Sequence, residues 1–211
     1  MKIPTASYLE QSQAWPQSGK HILAHFDDAS IIVYHAYRPS IGECAARNGY
    51  FGGDFKLSHM SWIKPNCLWI MYRSGWATME GQEVVLAVQI CRHAFDLILG
   101  EAVVSTYKPH QYADQEAWEE AVAESNVRLQ FDPDHDPHGQ PVERRAIQLG
   151  LRGDVLTRYS REWIVGIEDI SDLVREQHQH VLGNDLAKLV APIETVYPLD
   201  DEAVRFRLGL N

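Results

Sequence analysis

The chain has 211 residues, of which 45% are hydrophobic and 23% charged, values typical of a globular protein with a packed core. Its 19 Lys and Arg residues against 29 Asp and Glu residues give a formal net charge of −10. Such a chain repels a long polyanion, which excludes non-specific binding of duplex DNA, although one local basic pocket can still hold a small anion, a nucleotide or an RNA end.

The cysteines and the N-terminus indicate the compartment. The chain has three cysteines, Cys44, Cys67 and Cys91, which is an odd number. They are widely spaced and form no CxxC pair, so neither a disulfide framework nor a zinc ribbon is predicted. We expect no metal. The N-terminal MKIPTASYLEQ has no apolar core of a signal peptide, and no apolar run is long enough to span a membrane. These features predict a soluble cytoplasmic protein without a membrane partner.

Strands and helices are predicted to interleave along the chain. Two apolar runs, His21–Phe26 and Ser30–Tyr37, flank an Asp-Asp-Ala turn and predict a hairpin. Helices are predicted where Pro, Asn or Asp begins an apolar repeat and Gly ends it. The further predicted strands are Ser61–Ile63, Val84–Ile90, Val127–Phe131, Ala146–Leu151 and Trp163–Ile170, and the predicted helices are Pro4–Trp15, Pro39–Arg47, Asn66–Ser74, Arg92–Ala102, one capped by Asp114, Asp154–Arg161 and Ser171–Leu182.

This order of elements predicts the fold class. It lacks regular βαβ spacing and includes a hairpin, so we expect an α+β fold with a mixed or mainly antiparallel sheet and flanking helices. Residues 1–183 are predicted to form a single domain. Residues 184–211 are less periodic and are predicted to be a C-terminal extension that packs on that domain.

The segment Ser61–Trp76, SWIKPNCLWIMYRSGW, combines aromatic rings with cations. On the predicted helix, Trp69 and Arg73 share a face, while Tyr72 lies one turn beyond Leu68. Lys64 precedes the helix N-terminus, where unpaired backbone N–H groups favour an anion. Together with Trp62, these side chains predict a cationic and aromatic ligand pocket. The alternative is that the tryptophans are core anchors and the cations are solvated.

Two further segments carry candidate residues. In IIVYHAYRP, the candidates Tyr34, His35 and Arg38 lie near a strand end, where sites are commonly built. In RRAIQLGLRG, Arg145 and Gln148 lie on opposite faces of a predicted strand. The alternatives are a structural histidine, an arginine at a sheet edge and a glutamine that bonds a neighbouring backbone group.

The segment Asp132–Pro141 is predicted to be a polar loop. Asp132, Asp134 and Asp136 alternate, and Glu143 is the twelfth residue from Asp132, which matches the acidic spacing of a calcium loop. The sixth position of such a loop needs glycine, however, and here it is Pro137. A solvated proline-rich turn is therefore the favoured interpretation.

Four stretches of the chain are similar to one known family. The sequences SWIKPNCLWIMYRSGWA, IIVYHAYRPSI, VRLQFDPDHDP and RRAIQLGLRG resemble the domain-of-unknown-function family numbered 4291, over about residues 3–175. No activity is established for that family, so this resemblance implies no particular chemistry.

A more distant resemblance concerns VYHAYRPSIGECAARNGYF, which is similar to the first strand and helix of ADP-ribosyltransferase folds. The resemblance implies that NAD is the cofactor, that His35 contacts its ribose and that Tyr72 stacks on nicotinamide. It further implies that Glu143 or Gln148 takes the acidic position that orients the acceptor. The chain departs from those folds at Tyr37, where they have a small residue.

Three hypotheses for the function follow. The first is a transferase that acts with NAD or another nucleotide, and it expects Lys64, Arg73, Arg38 and Arg145 to line one cavity. The second is a module that binds an RNA end or a single nucleotide without turnover. The third is a structural or interaction protein whose tryptophans all belong to the core.

Overall fold

The computed structural model describes residues 2–211, which form eleven strands and eight helices. The strands are β1 (Thr5–Ser7), β2 (Leu23–Ala24), β3 (Ser30–Tyr37), β4 (Ser61–Ile63), β5 (Val84–Cys91), β6 (Ala102–Val104), β7 (Val127–His135), β8 (Pro141–Leu151), β9 (Ile164–Asp169), β10 (Val190–Pro192) and β11 (Thr195–Val196). The helices are α1 (Tyr8–Ala14), α2 (Pro39–Asn48), α3 (Cys67–Ser74), α4 (Arg92–Glu101), α5 (Gln115–Glu124), α6 (Gly153–Arg161), α7 (Ser171–Leu182) and α8 (Glu202–Leu208).

The strands form two main sheets. A three-stranded sheet has the order β3-β5-β9, and a four-stranded sheet has the order β4-β8-β7-β6. All of their pairings are antiparallel except that of β6 with β7, which is parallel. The predicted α+β class with a mixed, mainly antiparallel sheet is therefore confirmed.

The three-stranded sheet lies between two hydrophobic clusters. Successive side chains of a strand point to opposite faces, so Ile31 and Val33 of β3 enter one cluster while Ile32 and Tyr34 enter the other. Both faces of β3 are thus covered. This burial explains why the strand reads as a continuous apolar run instead of an alternating one.

The helix ends follow the predicted signals. The Asn66 side chain caps α3 by accepting a hydrogen bond from the Trp69 N–H at 2.7 Å, and Asp114 caps α5 in the same way. Gly49 and Gly75 end α2 and α3 in the left-handed conformation, with φ of 74° and 55°. The predicted helices over these segments are confirmed to within a residue or two.

The predicted hairpin of His21–Phe26 with Ser30–Tyr37 forms only beside its turn, where the Asp27 N–H donates to the Ser30 carbonyl and the Ile32 N–H to the His25 carbonyl, both at 2.9 Å. Only Phe26 and Ile31 form a bridge across its turn, and β2 pairs with β11 from the C-terminal segment instead. The predicted helix Pro4–Trp15 is shorter than expected, because Thr5–Ser7 pairs with β10 as a strand. Both differences come from partners far along the chain, which local sequence cannot indicate.

The predicted polar loop Asp132–Pro141 is also wrong in its first part, because β7 continues to His135. Pro133 interrupts the pairing with β8 at a register shift between Pro133 and His135. Proline is tolerated in a sheet at such irregularities, since the missing N–H is not needed there. The turn that joins β7 to β8 is thus confined to residues 136–140.

The C-terminal segment from residue 184 contributes β10, β11 and α8. Several of its apolar side chains are buried, most of them within the same two clusters as the rest of the chain. The buried members are Leu189, Ala191, Tyr197, Leu199 and Leu208. No helix within residues 2–211 combines the length and the apolar character needed to cross a membrane.

Candidate functional site

A cleft of about 440 Å³ opens on the outer face of the four-stranded sheet, with α3 as its other wall. Its lining mixes aromatic rings, cations, amides and one carboxylate. We call it the Lys64 cleft, and its lining residues are Trp62, Lys64, Trp69, Tyr72, Arg73, Gln82, Gln130, Asp132 and Gln148.

Strand alternation places these side chains. Trp62 of β4 and Lys64, which directly follows that strand, lie on the side opposite Ile63, which is fully buried in the core. On β8, Gln148 faces the cleft because its neighbour Leu149 faces the core. The same apolar residues that hold the sheet to the core therefore direct the polar residues between them outward, into the cleft.

The backbone of Lys64 is held rigidly. Its N–H and C=O form a bridge with Tyr34, with hydrogen bonds of 3.3 and 2.7 Å, and this bridge joins the two main sheets. Pro65 and the cap residue Asn66 follow directly. The position of the lysine at the floor of the cleft is therefore fixed by the junction of two sheets and a helix start.

The Lys64 ammonium is buried and poorly paired. The residue is 7% exposed, and its Nζ donates one hydrogen bond, to the Trp62 carbonyl at 3.3 Å. Within residues 2–211, no carboxylate lies within 4.0 Å of Nζ. An ammonium has three protons to donate, and a buried charge is costly unless it is paired. The arrangement favours an anion from outside the chain.

Burial also changes the acidity of this lysine. Removal from water lowers the pKa of Lys64 from 10.5 to about 8, with a further lowering by the Arg73 charge and an opposing effect of Asp132. Lys64 is therefore still charged at neutral pH. Its proton is held weakly enough for the charge to be lost a little above that range.

Aromatic rings form one wall of the cleft. Trp69 and Tyr72 of α3 stack at 5.4 Å between ring centroids with an angle of 20°. His135 stacks on Tyr72 at 3.5 Å and supports it from behind. Trp62 lies over Gly150, where an added Cβ would meet its ring at 3.0 Å. Flat rings of this kind can hold a nucleobase by stacking.

The carboxylate of Asp132 is positioned by two amides. Gln130 donates to Oδ1 at 2.9 Å and Gln148 donates to Oδ2 at 2.8 Å. The two glutamines lie directly opposite each other in the pairing of β7 with β8. Because each oxygen is tied by one amide, the carboxylate cannot rotate freely. The cleft thus contains a carboxylate of fixed orientation in addition to its cations.

The acidic residues that match the spacing of a calcium loop do not converge. Asp134 is 1% exposed and makes an ion pair with Arg144 at 2.6 Å, away from Asp132. The flanking elements are strands, and the turn is too short to bring the alternate aspartates together. Throughout the described chain, residues 2–211, no three His, Cys, Asp or Glu side chains are grouped so that they could hold a metal ion.

Comparison with protein families decides what this chain belongs to. The sequence matches the family described as Domain of unknown function (DUF4291) over residues 21–197, which is well over half of its length. The chain is a member of the DUF4291 family. No curated protein matches it. The family membership confirms the first resemblance, whereas the likeness to ADP-ribosyltransferases stays a prediction.

Six of the predicted site residues of the DUF4291 chain meet in the Lys64 cleft. Five come from the aromatic and cationic segment, and Gln148 joins them from β8. The six are Trp62, Lys64, Trp69, Tyr72, Arg73 and Gln148. The segment with the most aromatic and cationic residues is thus brought to a single cavity, and not all of its tryptophans are core anchors.

Tyr34 and His35 do not reach this cleft. Tyr34 is fully buried in the cluster that contains Cys67. His35 is 3% exposed, hydrogen-bonds the Tyr159 hydroxyl at 2.8 Å and stacks on Tyr37. Burial lowers the pKa of His35 well below its ordinary value, so the ring is neutral. The reason for both placements is that β3 is covered on each face.

The four predicted cations of the DUF4291 chain do not share one cavity. Lys64 and Arg73 line the cleft, but Arg38 lines a separate cavity of about 380 Å³ with Lys56 and other residues. Arg145 is an exposed residue of β8 outside both cavities. Glu143, offered by resemblance as an acidic position, is likewise exposed and outside the cleft.

Three lining residues were not predicted as parts of this site. Gln82 and Gln130 were not singled out, and Asp132 was considered only as a calcium ligand. A signal was present in VRLQFD, where Arg128, Gln130 and Asp132 alternate with apolar residues. Polar side chains at alternate positions of two successive strands indicate a shared polar face.

Proposed function

We propose that this DUF4291 protein binds a nucleotide in the Lys64 cleft and acts as a transferase on it. The observation that carries the proposal is a buried lysine without a carboxylate partner at the floor of a cleft lined by aromatic rings. A volume of about 440 Å³ lies in the range of small-molecule sites.

The ligand class follows from the two kinds of lining. Lys64 and Arg73 supply positive charge for a phosphate, because a cation in a partly dry cleft attracts an anion far more strongly than one in bulk water. Trp62 and Tyr72 supply flat surfaces for a base. A nucleotide combines an anionic group with a flat ring and so matches both kinds of lining.

The fixed carboxylate of Asp132 supports transferase chemistry over simple binding. A transfer reaction needs a group that accepts or donates a proton within reach of the bound ligand, and the cleft contains one. NAD is the cofactor implied by the ADP-ribosyltransferase resemblance. On this proposal, NAD or another nucleotide is the donor whose group is transferred.

Thermal unfolding with a panel of nucleotides tests the proposal. NAD, ADP-ribose, the nucleoside monophosphates and the nucleoside triphosphates are added at millimolar concentration, and at least one is expected to raise Tm. A ligand at about 100 times its Kd adds about 2.7 kcal/mol to the free energy of unfolding. The Arg73→Ala variant is expected to lose the shift.

The matched control is Arg145→Ala, which removes an exposed arginine of β8 that lies outside the cleft. This variant is expected to keep the full shift. If no nucleotide changes Tm, or if both variants respond alike, the proposed function is wrong. If a nucleotide does raise Tm, its turnover is followed by mass spectrometry, starting with the nucleotide that gives the largest shift. Recovery of intact ligand after long incubation counts against a transferase.

One observation favours a second candidate, the binding of an RNA end. Tyr72 lines both the Lys64 cleft and an adjoining cavity of about 480 Å³ that also contains Trp76 and His178. A strand longer than one nucleotide can therefore extend from the Lys64 cleft past Tyr72 into the adjoining cavity. Binding that strengthens with oligonucleotide length, with the strand recovered unchanged, supports this candidate.

A further inference from the structure

The free acceptor capacity of Asp132 indicates what part of a ligand meets it. An ionised carboxylate has about four positions that accept hydrogen bonds. Gln130 and Gln148 occupy one position on each oxygen. In the chain from residue 2 to residue 211, no cation lies within 4.0 Å of this carboxylate. Each oxygen therefore has an acceptor position left over.

The cations of the cleft restrict the donors that can fill these positions. Lys64 and Arg73 line the same cavity and repel a ligand cation such as a guanidinium or an ammonium group. A neutral ring that carries two adjacent N–H donors meets the carboxylate without this repulsion. The aromatic wall accepts the face of such a ring.

Among the nucleobases, guanine alone has this edge. Its N1–H and its 2-amino group are adjacent donors on one side of the ring. Adenine and cytosine each place an acceptor nitrogen next to their amino group, and uracil has one N–H between two carbonyls. If those bases faced the carboxylate, an acceptor atom of the base would lie against a carboxylate oxygen. The two lone pairs repel, and this repulsion costs binding free energy.

We infer that the Lys64 cleft takes a guanine 5′-phosphate, with the base against the aromatic wall, its N1–H and 2-amino group on Asp132 and its phosphate at Lys64 and Arg73. The inference rests on the nucleotide binding of the proposed function, since it names the base bound there, and it gives Asp132 the role of holding that base in place of proton transfer. Gln130 and Gln148 act as positioning residues, because they hold the carboxylate in the orientation that presents both oxygens.

The same chemistry has two sources, a free guanine nucleotide and the 5′-phosphorylated end of an RNA strand that begins with guanosine. A strand end carries the same base and phosphate, and its next nucleotide can reach the adjoining cavity beyond Tyr72. The two ligands differ only in length, because the strand end continues beyond its first nucleotide. The contacts of the first base are the same in both.

Calorimetric titration of the full chain with GMP, IMP and AMP tests the inference. IMP differs from GMP only by the absence of the 2-amino group. We expect IMP and AMP to bind roughly tenfold or more weakly than GMP, because a good pair of hydrogen bonds to a base discriminates by about that factor. The Asp132→Asn variant, which keeps the shape of the side chain, is expected to bind GMP and IMP equally.

Asp54→Asn is the matched control, since Asp54 is an exposed acid of the separate Arg38 cavity. It removes the same charge and is expected to preserve the preference for GMP. Equal binding of GMP and IMP by the unaltered protein overturns the guanine assignment and leaves the proposed function standing. Persistence of the preference in Asp132→Asn overturns it as well. If neither these nucleotides nor NAD bind, the proposed function fails together with it.

Short 5′-phosphorylated RNA strands that begin with guanosine or inosine separate the two sources. Tighter binding of the guanosine strand than of GMP, with discrimination against the inosine strand, assigns the site to an RNA end. Tighter binding of GMP than of the guanosine strand, with discrimination against IMP, assigns it to the free nucleotide. Strands that bind without distinguishing guanosine from inosine contradict the inference.

Discussion

Lys64 is a residue that costs stability where it lies. Its folded-state pKa of about 8 is below its ordinary value of 10.5, so the unfolded chain binds more protons between those two values. Stability therefore rises with pH across that window, and the charged lysine destabilises the folded protein below it. A residue kept at such a cost is consistent with a role in binding an anion.

Replacing Lys64 tests both its cost to stability and its role in binding an anion. Lys64→Met keeps the length of the side chain and removes the charge, so we expect it to raise the free energy of unfolding at pH 7 by about 1–3 kcal/mol and to abolish nucleotide binding. Chemical denaturation and titration with the same ligand measure the two effects. Lys56→Met, at an exposed lysine, is expected to change neither. A destabilised Lys64→Met protein would contradict this account.

Glu194 is a second buried ionisable residue, and its effect has the opposite sign. It is 3% exposed, and its Oε1 accepts a hydrogen bond from the Cys67 N–H at 2.8 Å. Burial raises the pKa of Glu194 from 4.5 to about 8. The folded protein therefore holds a proton that the unfolded chain releases, and stability falls as pH rises from about 5 to about 8.

The Glu194→Gln variant is expected to remove most of this pH dependence, because glutamine resembles the protonated acid and does not ionise. Tm is measured from pH 5 to pH 8 for both proteins. The plot of Tm against pH should be flatter for Glu194→Gln than for the unaltered protein, and the difference in Tm between the two proteins should be largest near pH 8. Glu176→Gln changes an exposed carboxyl and should leave the slope as it is. Parallel curves for all three proteins would show that Glu194 ionises normally.

The β7–β8 hairpin is the element that brings the acid to the cleft. Its bulge at Pro133 separates Asp132, which faces the cleft, from Asp134, which is buried against Arg144. Arg144 also donates from Nη1 to the Pro16 carbonyl at 2.8 Å, so it ties the hairpin to the N-terminal segment. One strand thus carries a carboxylate that lines the cleft and a buried, ion-paired carboxylate only two residues apart.

Loss of the buried ion pair is expected to destabilise the hairpin strongly. Arg144→Met leaves Asp134 charged and without its cation, which typically costs about 3–5 kcal/mol. Unfolding in urea measures the loss. Arg158→Met breaks an exposed ion pair with Glu162 and is expected to cost no more than about 1 kcal/mol. Similar losses in the two variants would mean that Asp134 finds another partner.

The segment after α3 carries backbone strain. Gly75, Trp76 and Ala77 all have positive φ, between 55° and 63°, and only the first is a glycine. Two such non-glycine residues cost about 1–2 kcal/mol each. Trp76 is anchored by a hydrogen bond from its Nε1 to the Pro137 carbonyl at 3.2 Å and by stacking on His178. These contacts hold the end of α3, with Tyr72 and Arg73, over the cleft.

At the scale of the whole molecule, the cleft lies where two sheets and a helix meet. The bridge between Lys64 and Tyr34 joins the sheets, and α3 starts three residues after Lys64. The strongly acidic chain concentrates two cations there beside one carboxylate. On the proposed function, this local positive charge within an acidic molecule favours a small anionic ligand over a long polyanion.

Sequence alone determined most of the helices and strands, and it determined the part of the cleft that comes from the single segment Ser61–Trp76. The helix signals at Asn66 and Gly75 act over a few residues. The four cleft residues Trp62, Lys64, Tyr72 and Arg73 likewise lie within one short segment. Such effects act between residues a few positions apart, and they leave a pattern that can be recognised.

Only the tertiary structure decided which distant residues join them. Asp132 and Gln130 enter the cleft because β7 pairs with β8 in one register, while Arg38 and Arg145 are directed elsewhere by α2 and the far end of β8. The strand pairs β1–β10 and β2–β11 were missed for the same reason. Register and sheet order depend on burying apolar faces across the whole chain, a global balance of free energy that leaves no local signature.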